Sequence, residues 1–159
     1  MGAQKAAFQI AFTAEAAAMK GDEFGVGLLD LVKAFETVPH HILVQIAIDL
    51  GYPLVLLRLC LASYRLKRTI GIDGNYSDTV IATRGITAGS GTAATELKLL
   101  LLSLMKLPEA QWARILVAKV YVDDLTLIVQ GKKEMMVRTF AMILNLVVQH
   151  LEGTLLMHV

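Results

Sequence analysis

Residues 115–129 read Ile-Leu-Val-Ala-Lys-Val-Tyr-Val-Asp-Asp-Leu-Thr-Leu-Ile-Val, two β-rich apolar runs on either side of Asp123-Asp124. Burying an unpaired carboxylate is costly. The two runs must go inside while the two acids stay out, and a hairpin with the acids at its tip satisfies both demands. Gln130-Gly131 closes the segment. Residues 24–31, Phe-Gly-Val-Gly-Leu-Leu-Asp-Leu, read as another strand. Phe24, Val26, Leu28 and Asp30 share one face by the two-residue period, and Gly25, Gly27, Leu29 and Leu31 share the other. Glycines inside a strand permit something to approach the backbone closely. A hairpin tip beside the end of this strand is where Asp30, Asp123 and Asp124 can gather.

The rest of the chain reads mainly as helix. Residues 1–21 form an N-terminal segment, helical or poorly ordered, with eight alanines in its first twenty positions. Pro39 can open a helix, because its missing N–H is not needed there. Ile42, Leu43, Ile46, Ala47 and Leu50 then recur at helical spacing until Gly51 and Pro53. A further helix covers about 54–65. Ile70 and Ile72 alternate, Asp73-Gly74-Asn75 turns, and Thr79 to Ala82 gives a return strand across a long loop. Gly85, Gly89 and Gly91 punctuate a loop, a leucine-rich helix follows over roughly 92–107, and a last helix covers 133–151. This order predicts an α+β fold with helices packed on one face of a mostly antiparallel sheet.

Composition narrows the class. Apolar residues make up 55% and charged residues 18%, which excludes a disordered chain. The mean hydropathy of +0.58 raises the question of a membrane span. The apolar runs 42–62 and 97–118 carry charges in their interiors, Asp49 and Arg58 in one, Lys98, Lys106, Glu109 and Arg114 in the other, so both read as core and no membrane is expected. The formal charge of +1 gives little of the bulk attraction of a stand-alone nucleic-acid binder. The basic group Arg58, Arg65, Lys67 and Arg68, with Tyr64 among them, can contact phosphates or form a solvated face. Cys60 is the single cysteine, so there is no internal disulfide and no zinc cluster, and nothing assigns a compartment. His40 and His41 lack ligand spacing with Cys60, His150 or His158.

Gathered carboxylates suit magnesium, which takes oxygen ligands and commonly only one or two carboxylates. Two such ions about 4 Å apart activate an attacking hydroxyl and stabilise a leaving pyrophosphate. Ordinary turn chemistry accounts for Asp-Asp at a hairpin tip as well, and Asp30 can cap a helix.

The surrounding residues add a resemblance. Leu28-Leu29-Asp30-Leu31-Val32-Lys33-Ala34-Phe35-Glu36-Thr37-Val38-Pro39-His40-His41-Ile42-Leu43, Arg84-Gly85-Ile86-Thr87-Ala88-Gly89-Ser90 and Tyr121-Val122-Asp123-Asp124 stand in that order. Gly85 lies 55 residues after Asp30, and Asp123 lies 93 after it. Over roughly residues 22–153 the sequence resembles the reverse transcriptase (RNA-directed DNA polymerase) family, in its non-viral retroelement form. The resemblance implies a polymerase palm over 22–159 and nucleotidyl transfer from deoxynucleoside triphosphates to a primer 3′-hydroxyl. Asp30, Asp123 and Asp124 would be catalytic and hold Mg²⁺ or Mn²⁺. Leu31, Phe35, Gly85, Gly89 and Ser90 would form the nucleotide site, with Phe35 under the sugar, where it excludes a 2′-hydroxyl. Tyr121 and Val122 would meet the primer. Partners would be an RNA or DNA template, its primer and deoxynucleotides.

The sequence also departs from the family pattern. Ala88 stands where glutamine is usual, Glu36 where aspartate is usual, and Met157 where the block after the last helix has asparagine. With about 29 residues before Asp30 and none for a thumb, the reading is a palm-centred fragment whose fingers are incomplete and whose thumb is absent. Those missing regions of a parent protein would be partners. The alternative is a catalytically inactive palm remnant, a structural or interaction module.

Overall fold

The computed structural model describes residues 3–112 and 116–159. Met1, Gly2 and Ile115, which the sequence assigns to the ends of predicted elements, lie outside the described residues. The chain forms two compact units, one from residues 1–32 and 101–159, the other from 33–100.

The first unit is built on a three-stranded antiparallel sheet in the order β1-β5-β4: β1 (Glu23–Asp30), β4 (Leu116–Tyr121) and β5 (Asp124–Gly131). Leu125, Leu127 and Val129 of β5 alternate onto the face shared by Gly25 and Gly27 of β1, and all three are buried. The glycines have a packing reason. A Cβ on Gly27 would stand 2.9 Å from Phe140 Cζ, and one on Gly25 would stand 3.5 Å from Met136 Cε. Helix α6 (Lys133–Gln149) therefore lies close against β1 through these two side chains. Helix α1 (Ala3–Met19) is joined to β4 where Lys119 Nζ donates to Gln9 Oε1 at 3.0 Å.

The expected helix over 133–151 ends two residues early. A π-helical turn, His150–Thr154, continues it and places Leu151 and Leu155 in the core. His150 Nε2 lies 3.3 Å from Ser103 Oγ, and burial pushes its imidazole pKa below the ordinary value. The tail returns to β1: Val32 N–H donates to His158 O at 2.9 Å.

The second unit holds α2 (Ala34–Thr37), α3 (His40–Asp49), α4 (Leu54–Tyr64) and the first part of α5 (Ala93–Trp112). Pro39 and Pro53 sit one residue before α3 and α4, as their lack of an N–H predicts. Gly51, at φ +68°, stops α3. The expected return strand over 79–82 is not formed. The hairpin is instead β2 (Gly71–Ile72) paired with β3 (Asn75–Tyr76). Asp73 and Gly74 have φ of +49° and +79°, the two positive values of a type I′ turn, so pairing resumes immediately and no long loop is needed. Val80 instead makes an isolated bridge to Arg68. Helix α5 also runs beyond the expected end at 107, through Pro108. Among the described residues, no helix is long and apolar enough to cross a membrane.

Candidate active site

The β1–β5 register pairs Asp30 directly with Asp124, and the β4–β5 register pairs Asp124 with Tyr121. Residues directly opposite in an antiparallel ladder project to the same face. Asp30, Asp124 and Tyr121 thus form one row across three strands, and all three are exposed. Val122 and Asp123 are the two loop residues of the β4–β5 hairpin and are half-buried. Val122 has φ +58°. A β-branched side chain in the left-handed region is a genuine outlier, and such strain tends to collect at functional sites.

Of the two adjacent aspartates, the register sets Asp124 directly opposite Asp30, and Asp123 precedes it in the hairpin loop. Like charges directly opposite destabilise a ladder by roughly 0.2–1 kcal/mol. No Lys, Arg or His lies within ion-pair distance of Asp30, Asp123 or Asp124 among the described residues. This row of hard oxygen donors, open to solvent and lacking a cationic side chain, fits a divalent ion that takes one or two carboxylates and fills its shell with water and phosphate. A closed set of three is absent: among the described residues, no three His, Cys, Asp or Glu side chains converge to hold a metal.

The residues expected to contact nucleotide divide between the two units. Leu31 belongs to the first. Its side chain is buried, leaving the backbone as the part a nucleotide can meet. Phe35, Gly85, Gly89 and Ser90 belong to the second, where Phe35 and the glycine loop are physically joined. Ile86 N–H donates to Phe35 O at 2.8 Å, and Gly85 N–H donates to Val38 O at 2.8 Å. His40 Nε2 donates to Gly85 O at 2.7 Å, and its buried Nδ1 has no partner among the described residues. Gly85 has φ +90°, and a Cβ there would stand 2.9 Å from Glu36 O. Only glycine allows the loop to lie this close to α2. Phe35 itself is half-buried.

Sequence reasoning missed the support beneath this loop. Tyr64 OH donates to Glu96 Oε2 at 2.9 Å and lies 3.0 Å from Ser90 Oγ, which also accepts from Ala93 N–H at 3.1 Å. Cys60 Sγ meets Thr92 Oγ1 at 3.2 Å. Glu96 is fully buried, and its Oε1 has no partner among the described residues. Burial, reinforced by the Glu96 carboxylate, raises the Tyr64 phenol above its usual pKa against the lowering effect of Ser90 and Thr92, and burial likewise raises the Cys60 thiol. A glutamate four residues before Leu100 and eight before Leu104 was the available signal, because it occupies the inward stripe of α5. Tyr64, read from sequence as part of a basic patch, is buried and belongs to this network.

A model of the family described as reverse transcriptase (RNA-dependent DNA polymerase) matches residues 4–155. No curated protein matches the chain.

Proposed function

The chain belongs to the reverse transcriptase family, and from that premise we propose that it is an RNA-directed DNA polymerase palm of the non-viral retroelement type. In the proposed reaction a primer 3′-hydroxyl attacks the α-phosphate of a deoxynucleoside triphosphate and pyrophosphate leaves. Asp30, Asp123 and Asp124 would hold Mg²⁺ or Mn²⁺. When bound, the ions supply activation of the hydroxyl and charge stabilisation of the leaving group. The protein's own part is alignment. Tyr121, in the same row as Asp124, flanks the primer end with Val122. Within the second unit Phe35 selects against a 2′-hydroxyl, and Gly85, Gly89 and Ser90 shape the nucleotide loop; in the first unit Leu31 offers its backbone to a nucleotide.

The observation that supports this reading most directly is the register opposing Asp30 to Asp124 on an exposed sheet row. A palm that folds without turnover is the second reading. It is favoured by Ala88, which lacks the usual amide, and by the absence of a three-acid cluster among the described residues. Primer extension on RNA and DNA templates with Mg²⁺ or Mn²⁺ separates the two. The polymerase reading expects deoxynucleotide incorporation by the intact chain, with none by Asp30→Asn or Asp123→Asn. A folded wild-type chain that extends neither template leaves the inactive palm as the reading.

A further inference from the structure

Helix α1 carries apolar side chains on two opposite sides. The half-buried Ile10, Thr13 and Ala14 and the buried Ala17 recur at helical spacing and mark the side that packs on β1 and β5. Phe8, Phe12 and Met19 stand on the other side and are 71%, 64% and 89% exposed. The two rings stack at a centroid distance of 6.4 Å and an interplanar angle of 19°, so they form one continuous ledge. A surface helix ordinarily gives its outer side to charged and polar residues. Single apolar side chains on a surface need no explanation, but a stacked ring pair on an aligned ridge does.

The ridge has a seven-residue period. Lys5, Phe12 and Met19 are seven apart, and so are Phe8 and Glu15. The first set takes the a positions of a two-helix seam and the second the d positions. Lys5 and Glu15 are the only charged residues of α1, and both are exposed. Among the described residues neither has an ion-pair partner. No opposite charge stands three or four residues from either of them.

These two charges choose an orientation. In a parallel pair of such helices a faces a and d faces d, so Lys5 would meet Lys5 and Glu15 would meet Glu15. In an antiparallel pair a faces d. Phe12 of one copy then meets Phe8 of the other, and Lys5 meets Glu15. One register satisfies every layer, because the midpoint between positions 5 and 15 is also the midpoint between 8 and 12.

We propose that α1 is the seam of an antiparallel homodimer, in which Phe8 and Phe12 of two copies form a four-ring cluster closed at each end by a Lys5–Glu15 pair. The contact is isologous, so it stops at two copies. The helix is already ordered on its sheet, which removes the nucleation cost that keeps short isolated helices apart. The two rings expose roughly 250 Å² in each copy, well below the roughly 800 Å² per partner of a standard interface. The dimer is therefore a weak one, with a Kd on the order of 10–100 µM. It needs neither Asp30 nor Asp124 and stands apart from the polymerase reading.

The test is sedimentation equilibrium of the full chain between about 1 µM and 1 mM. The expected result is a reversible monomer–dimer equilibrium. Phe8→Ala/Phe12→Ala should weaken it about a hundredfold or more. The same variant should melt with the wild type at the lowest concentration, because both rings are exposed in the single chain. Glu15→Lys or Lys5→Glu alone places like charges in two layers and should weaken the homodimer on the order of tenfold. Mixed together, the two single variants should form a heterodimer tighter than either homodimer, since both layers are again opposite in charge. Lys5→Glu/Glu15→Lys in one chain should recover the wild-type association. A wild type that is monomeric at about 1 mM overturns the proposal. So do single charge variants that dimerise like the wild type and show no preference for each other, and so does a dimer that survives loss of both rings. A monomer that instead floats with phosphatidylcholine vesicles through Phe8 and Phe12 also overturns it, because the ridge is then a lipid contact.

Discussion

A hydroxyl holds the buried acid. Glu96 has no exposure, one of its oxygens is unpartnered among the described residues, and the other accepts from Tyr64. Removing the donor leaves a buried acceptor unsatisfied, which costs about 1–3 kcal/mol and more where the group is charged. Tyr64→Phe keeps the ring and its packing, so its cost isolates the hydrogen bond. A chain of this size should lose roughly 2–4 °C of Tm for each kcal/mol. Glu96→Gln in the Tyr64→Phe background should recover part of that loss, because an amide is cheaper to bury than a carboxylate. A Tyr64→Phe variant melting with the wild type would show that Glu96 finds water or another donor. The same hydroxyl touches Ser90, so hydrogen exchange at residues 85–92 should quicken in the variant, a local opening beneath the proposed nucleotide loop.

Pairs of elements depend on small residues where side chains would collide. Gly27→Ala puts a methyl 2.9 Å from Phe140 Cζ, so α6 must shift against β1 or the ring must leave its rotamer. Overpacking of this kind costs about 1–3 kcal/mol. Phe140→Leu should restore much of the loss, and a double-mutant cycle would measure the coupling. Additive melts would show that the sheet and helix do not meet through this pair. The glycines of β1 were legible in the sequence as a close approach, and so were the strand, read over 24–31 and formed by Glu23–Asp30, the late hairpin and the helix opened at Pro39. Each of these rests on local period and local breakers. The hairpin at Gly71–Tyr76 was misplaced although Asp73-Gly74 carries the type I′ signature, because the turn was read as the three residues Asp73-Gly74-Asn75 and the return strand was set at 79–82. The Tyr64–Glu96 bond joins residues 32 apart, and no local pattern encodes such a pair. The opposition of Asp30 to Asp124 was legible only as a gathering of acids. Which aspartate stands opposite is a matter of register, and neither segment alone sets it.

At the scale of the molecule, the acidic row is the product of distant segments. The chain leaves its first unit after residue 32 and returns at 101, so Asp30 and Asp124 meet only once that loop has closed. Their opposition costs stability in the absence of a cation, and a divalent ion bound there must act in the contrary direction. In EDTA, Asp124→Asn should be more stable than the wild type by about 0.2–1 kcal/mol, because a like-charge cross-strand pair has been removed. An ion at a hundred times its Kd stabilises the folded state by about 2.7 kcal/mol, which by the usual conversion raises Tm by roughly 5–10 °C in a chain of this size. That gain belongs to the wild type and should largely vanish in the variant. Calorimetry across a Mn²⁺ titration should therefore show the two melting curves exchange order, the asparagine variant higher in EDTA and the wild type higher at saturating ion. Neither branch alone identifies the site, since relief of repulsion can occur without metal binding, and metal can bind elsewhere. Only their reversal ties the ion to this pair of carboxylates, and a wild-type Tm indifferent to Mn²⁺ would remove the metal from the row altogether.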